Sequence, residues 1–154
     1  MKQIIWIFGT SASGKETFIK SLKDDDLLKK VLGIDEEVAI SNESLKNLGK
    51  LDKSRLSIID DVLELSSSND VIVIKWQYGD TLLDTPNLLY KKLPNFKHRA
   101  VKLNVDTQEQ VRRLQTKSWR YDHGKEENFI ANELELVDSS IGQLNPDLEV
   151  TNFD

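Results

Sequence analysis

The stretch Gly9-Thr10-Ser11-Ala12-Ser13-Gly14-Lys15-Glu16-Thr17 constrains this chain more than any other. It follows the apolar run Ile4-Ile5-Trp6-Ile7-Phe8 and opens a helical pattern through Phe18, Ile19 and Leu22. Strand, Gly-rich turn and helix, in that order, is the context a phosphate-binding loop requires. The glycines let the backbone curl until several N–H groups point at one anion, and the helix N-terminus adds its partial positive charge. Lys15 then reaches the terminal phosphates as a point charge. The expected binding set is Gly9, Ser11, Ala12, Ser13, Gly14, Lys15, Glu16 and Thr17, and the expected ligand is a nucleotide. The plain alternative is a Gly/Ser turn that happens to precede a lysine, and the correct spacing with both flanks in place weighs against it.

The rest of the composition narrows the class. A chain of 154 residues can bury a core as one domain. No apolar run approaches a membrane span, and the run at 4–8 is too short for a signal peptide, so a cytoplasmic protein is expected. There is no cysteine, which rules out disulfides, thiolate metal sites and cysteine nucleophiles. A formal charge of −5 argues against broad nucleic-acid binding, which needs a basic face, but leaves room for a local anion site.

Along the chain, short apolar runs alternate with helical patterns, the signature of a parallel sheet flanked by helices. Strands are expected over 3–8, 38–40, 71–74, 100–105 and 148–150, the fourth alternating enough to suggest a more exposed place. Helices are expected from Gly14, over 27–32 with Gly33 ending it, over 51–65, from Pro86 to about Leu93, from Glu109 to about Arg120, and over 126–141. The fold class is therefore α/β: a doubly wound, mostly parallel five-stranded sheet with helices on both faces. On the helix at 51–65, Leu56, Ile59, Val62 and Leu63 share the apolar side. Asp60 and Asp61 fall on the opposite stripe and read as a solvated face, not as a metal site.

Ligands in such sheets sit beyond the carboxyl ends of the strands. Lys75-Trp76-Gln77-Tyr78-Gly79-Asp80 follows the third strand, where an acidic Walker B residue is usual and is missing. Trp76 reads as packing sooner than as a platform for a substrate ring. Gln77 and Asp80 are candidates for substrate contact on a par with it. His98 and His123 show no ligand spacing and read as surface residues.

The loop has Glu16 where Ser or Thr usually follows the lysine, with the hydroxyl one residue later at Thr17. In this it resembles adenylate kinase and other small P-loop kinases, specifically over residues 3–22, and the order of elements is similar as well. The resemblance implies ATP as donor, Mg2+ as cofactor with Thr17 as its expected ligand, and one kinase-like domain over 1–154 with a lid at about 112–125. Lids of that family carry arginines. Here Arg113-Leu114 with Lys117 four positions on is similar to their Arg-Leu-x-x-Arg spacing, so Arg113, Lys117 and Arg120 can converge on one anion. The bland reading of the same residues is a solvated basic helix end.

Asn42-Glu43-Ser44-Leu45-Lys46 resembles the Asn-Asp-x-x-Arg pattern of polynucleotide-kinase-like and metabolite kinases, with Glu43 in the place of their acid. That implies Glu43 as base toward an acceptor hydroxyl; otherwise it simply favours a helix start. Two functions follow. One is an ATP-dependent phosphotransferase acting on a nucleoside, a nucleotide or a small hydroxyl metabolite. The other is a nucleotide-binding regulatory or NTP-hydrolysing module with no dedicated acceptor.

Overall fold

The computed structural model describes residues 1–9, 13–24, 29–30, 32–34, 37–45, 51–76, 85–115 and 146–151. Their elements run β1 (Gln3–Gly9), α1 (Lys15–Asp24), β2 (Val38–Ile40), α2 (Asn42–Leu45), α3 (Leu51–Leu65), β3 (Val71–Trp76), α4 (Thr85–Lys92), β4 (Lys97–Asn104), α5 (Thr107–Gln115) and β5 (Pro146–Thr151). The helix expected over 126–141 lies outside the described residues.

All five strands pair in parallel, in the order β2-β3-β1-β4-β5. β1 is central, and every one of its residues is buried. That explains the unbroken apolar run at 4–8, because a strand covered on both faces has no polar side to show. Its side chains alternate between two cores. Ile4, Trp6 and Phe8 pack with Ile72, Ile74 and Trp76 under Ile58, Ile59 and Val62 of α3 and Leu89 of α4. Ile5 and Ile7 pack with Val71, Val73, Val101 and Leu103 under Phe18, Ile19 and Leu22 of α1. Helices thus cover both faces, as a doubly wound sheet demands.

β4 lies between β1 and β5, with Ala100, Val101 and Leu103 buried. Beside β1 and β3 it is still the more exposed strand that its alternation suggested: Lys97 is exposed, and His98, Arg99, Lys102 and Asn104 are only partly buried. On α3, Ile59 and Val62 are buried and Leu63 packs partly buried against the same core, as expected. Ile58 joins them unexpectedly, and the side chain of Leu56 lies outside the described residues.

Before β2 the backbone turns at Gly33, whose φ of 69° suits a residue without a Cβ. Gly33 N–H donates to Lys30 O at 3.1 Å and Ile34 N–H to Lys29 O at 2.8 Å, the paired bonds of a Schellman end. Arg99 of β4 donates to Leu32 O and to Gln3 Oε1, tying this turn to the sheet.

Candidate functional site

β1 stands between β3 and β4, the chain running from β1 to β2 on one side of it and later crossing from β3 to β4 on the other. The carboxyl end of β1 is therefore the topological switch point where ligands of open α/β sheets bind. The phosphate loop starts there. Gly9 pairs with Leu103, and a Cβ built on it would stand 2.5 Å from Leu103 O and 2.7 Å from Ser13 Oγ. No side chain fits in that space, because Ser13 lies close over the end of the strand. Gly14 has a φ of 94°, and its carbonyl accepts the first helical bond from Phe18 N–H at 2.9 Å. Ser13 is fully buried, and its hydroxyl has no hydrogen-bond partner among the described residues. An unsatisfied hydroxyl inside a loop that a Cβ would clog fits an anion cradle. Ser11 and Ala12 lie outside the described residues.

Lys15 opens α1 and is only 5 % exposed. Its ammonium turns back over the loop and donates to Gly9 O at 3.0 Å. A buried ammonium needs such acceptors, because desolvation without them is costly. A phosphate oxygen arriving in the cradle can take the same proton donor.

Glu16 and Thr17, the next two residues, are exposed. Glu16 Oε1 accepts from Lys75 Nζ of β3 at 2.7 Å, the side chains being 69 % and 19 % exposed respectively. Where a P-loop protein holds Mg2+ between the hydroxyl after its lysine and a Walker B acid, this chain has an acid already bridged to a base. These two residues do not fit that metal site, and no cluster of three acidic or histidine ligands occurs among the described residues.

At the end of β2, Ser41 is fully buried and caps α2: its Oγ accepts from Ser44 N–H at 3.3 Å. Ser44 Oγ donates to Ser41 O at 2.7 Å and accepts from Lys75 N–H at 3.0 Å, which docks α2 on the end of β3. The surprise is Asp61. The sequence placed it on a solvated face, yet its Oδ2 accepts from Ser41 Oγ at 2.7 Å and from Glu43 N–H at 3.2 Å. Asp61 of α3 thereby holds the turn that carries Glu43, while its neighbour Asp60 is exposed. Nothing in the spacing signals this. The clue was the run of small hydroxyl residues in Ser41 and Ser44, which needs buried partners.

Arg113, on the last turn of α5, donates from Nε to Glu109 Oε1 at 2.9 Å, and Arg112 grips the same carboxylate. Hydrogen bonds from Arg112 and then Arg113 lower the Glu109 pKa to about 2. Lys117 and Arg120, with most of the expected lid at 112–125, lie outside the described residues, as do Gln77, Asp80 and His123. Trp76 is 3 % exposed and meets Trp6 edge to face at 5.6 Å, so it is core and not a platform for a ring. His98 is half-buried instead of a surface residue. Its Nε2 is 3.2 Å from Leu93 O and its ring lies 5.0 Å from that of Tyr90.

No protein-family model and no curated protein matches this sequence. Solved structures do. Shikimate kinase from Bacteroides thetaiotaomicron superposes with a TM-score of 0.58 at 16 % identity, over 97 % of this chain and 86 % of that one. A gluconokinase from Sinorhizobium meliloti 1021 gives 0.59 at 13 % identity, over 99 % and 83 %. A putative kinase from Chloroflexus aurantiacus gives 0.60 at 17 % identity, over 97 % and 88 %. The chain has the fold of small P-loop kinases, an all-parallel five-stranded sheet wound with helices on both sides. No helix among the described residues is long and apolar enough to cross a membrane.

Proposed function

We propose that this protein is an ATP-dependent phosphotransferase that moves the terminal phosphoryl group of ATP to a small acceptor bearing a hydroxyl or phosphate. One observation carries the reading: a buried lysine donating to the carbonyl of Gly9, in a loop closed over the carboxyl end of the central strand. A cradle of this kind recognises a chain of phosphates through backbone N–H groups and a point charge. The donor's phosphates would lie on the amides of residues 11–17, with Lys15 and the Ser13 and Thr17 hydroxyls as further contacts. Thr17 is left to the phosphates and not to a metal, because the Glu16–Lys75 pair occupies the corner where Mg2+ would sit.

Phosphoryl transfer asks little covalent chemistry of the protein; it asks for position and for cations where charge develops. On this reading Arg113, Lys117 and Arg120 supply those cations from a lid at about 112–125. Glu43, set by Asp61 at the carboxyl end of β2, takes the proton of an acceptor hydroxyl. The acceptor belongs to the classes the fold neighbours' names suggest, a small hydroxyl metabolite, or is a nucleoside or nucleotide.

A second reading, nucleotide binding or slow hydrolysis without an acceptor, draws support from the Glu16–Lys75 pair, which replaces the usual metal-holding groups. Incubation with γ-labelled ATP and pooled nucleosides, nucleotides, sugars and hydroxy acids separates the two. Label on one acceptor class, lost in Lys15→Met, supports the transferase. Label released only as free phosphate would turn the proposal down in favour of the second reading.

A further inference from the structure

The loop and the strand beside it carry an exchange of charges that the phosphotransferase reading does not by itself explain. Ile7 of β1 is in register with Lys75 of β3, so Lys75 stands at the carboxyl end of the sheet, one strand from the loop. Its ammonium reaches Glu16, the residue directly after the loop lysine, at 2.7 Å. In the simplest form of the motif this pair of positions is a hydroxyl and an acid, sharing a divalent ion. Each change alone would be adverse. A lone Glu16 would set a negative charge against the donor's phosphates, and a lone Lys75 would repel a metal. Together they neutralise each other.

We infer that Lys75 supplies, in place of a divalent ion, the second positive charge on the donor's phosphates, and that Glu16 holds its ammonium at the edge of the loop. The inference rests on the proposed binding of a nucleotide donor at this loop. Its chemistry is that of an ammonium with three N–H donors: one can stay on Glu16 while the others turn to phosphate oxygens. Lys75 is anchored for this task, since its backbone N–H is bound by Ser44 Oγ and its stem leaves a largely buried strand. Glu16 is the more exposed partner, at 69 % against 19 % for Lys75, so its carboxylate has room to follow the ammonium or release it. A divalent ion bound at this corner would first have to strip Lys75 from Glu16 and would then face a like charge beside it. A merely structural pair, pinning α1 to β3, predicts no such role for Lys75.

The test is calorimetric titration of the full chain with ATP, in EDTA and then in excess MgCl2. The expected result is an affinity that differs by less than about threefold between the two media, with Lys75→Gln losing about tenfold or more in EDTA. The double variant Glu16→Ser/Lys75→Asp, which restores a hydroxyl and an acid, should bind ATP only when Mg2+ is present. Wild-type binding that tightens more than about tenfold with Mg2+ would overturn the inference and leave the nucleotide reading standing. So would a folded Lys75→Gln protein with unchanged affinity in EDTA. Absence of ATP binding in both media would take down the nucleotide reading and this inference with it.

Discussion

Lys15 Nζ donates to the carbonyl of Gly9 across the phosphate loop, at 3.0 Å and largely out of water. The loop is closed on its own lysine, so ligand binding is an exchange of acceptors and not the capture of a free cation. Two terms of similar size oppose each other when the lysine is removed. A hydrogen bond from a charged group is worth about 1.5–3 kcal/mol, while the desolvation of the ammonium that is relieved is of comparable magnitude. Lys15→Met, which keeps the stem, should therefore change stability by no more than about 1 kcal/mol and yet bind ATP at least about a hundredfold more weakly. Chemical denaturation and calorimetry on the same sample check both halves.

Gly9→Ala should be far more harmful to the fold. The added Cβ meets backbone at 2.5 Å, and a carbonyl in a paired strand cannot step aside as a side-chain tip can. Overpacking of this sort costs about 1–3 kcal/mol, whereas the stiffer unfolded chain returns about 0.4–1 kcal/mol, so the loss wins. A lowered midpoint in urea would bear this out. A variant as stable as the parent would mean that the loop opens at little cost.

How much of this could be read in advance depended on whether the responsible force was local. β1 and its loop were legible, because a strand buried on both faces must be continuously apolar and a phosphate loop needs its glycines at fixed offsets. The span of α3 was legible for the same reason, through its helical period and the flanking breakers. Asp61 was not. Its position on the polar side of α3 is what a solvated residue shows, and only the approach of Ser41 and Glu43 from another element turns it into an acceptor. The Glu16–Lys75 pair lay half in view: each residue stood out as a departure, but their meeting depends on β3 lying next to β1. The greater exposure of β4 was legible in its alternation, while its place between β1 and β5 is visible only in the pairing of the strands.

His98 gives the stability a pH dependence near neutrality. Burial disfavours the charged ring and lowers its pKa below 6.5, against a smaller opposing effect of the hydrogen bond to Leu93 O. The sign follows from proton counting. As pH falls below 6.5 the unfolded chain takes up a proton before the folded protein does, so the stability present above 6.5 is lost toward the lower folded value. Melting between about pH 7.5 and about pH 5.5 should therefore fall more steeply in the wild type than in His98→Gln, whose side chain stays neutral. Parallel curves would show that the ring meets no such penalty.

The last expectation separates Glu43 as a chemical group from Asp61 as its support. Glu43→Gln keeps the shape of the side chain and removes the charge, and its backbone N–H still reaches Asp61. If Glu43 takes the acceptor's proton, ATP affinity should persist while transfer to the acceptor falls by about a hundredfold or more. Asp61→Ala acts differently. It leaves Ser41 Oγ, fully buried, without its acceptor, which costs about 1–3 kcal/mol, and it frees the turn on which Glu43 sits. Stability should fall with it, and the acceptor's KM should rise as the turn loses its place. Asp61→Asn retains an oxygen that can accept from Ser41 and should recover most of that stability. Transfer rates, acceptor KM and urea midpoints on the three variants distinguish the roles. Full activity in Glu43→Gln would reduce Glu43 to a residue that favours a helix start, and the acceptor's base would then have to come from another element around the carboxyl edge of the sheet.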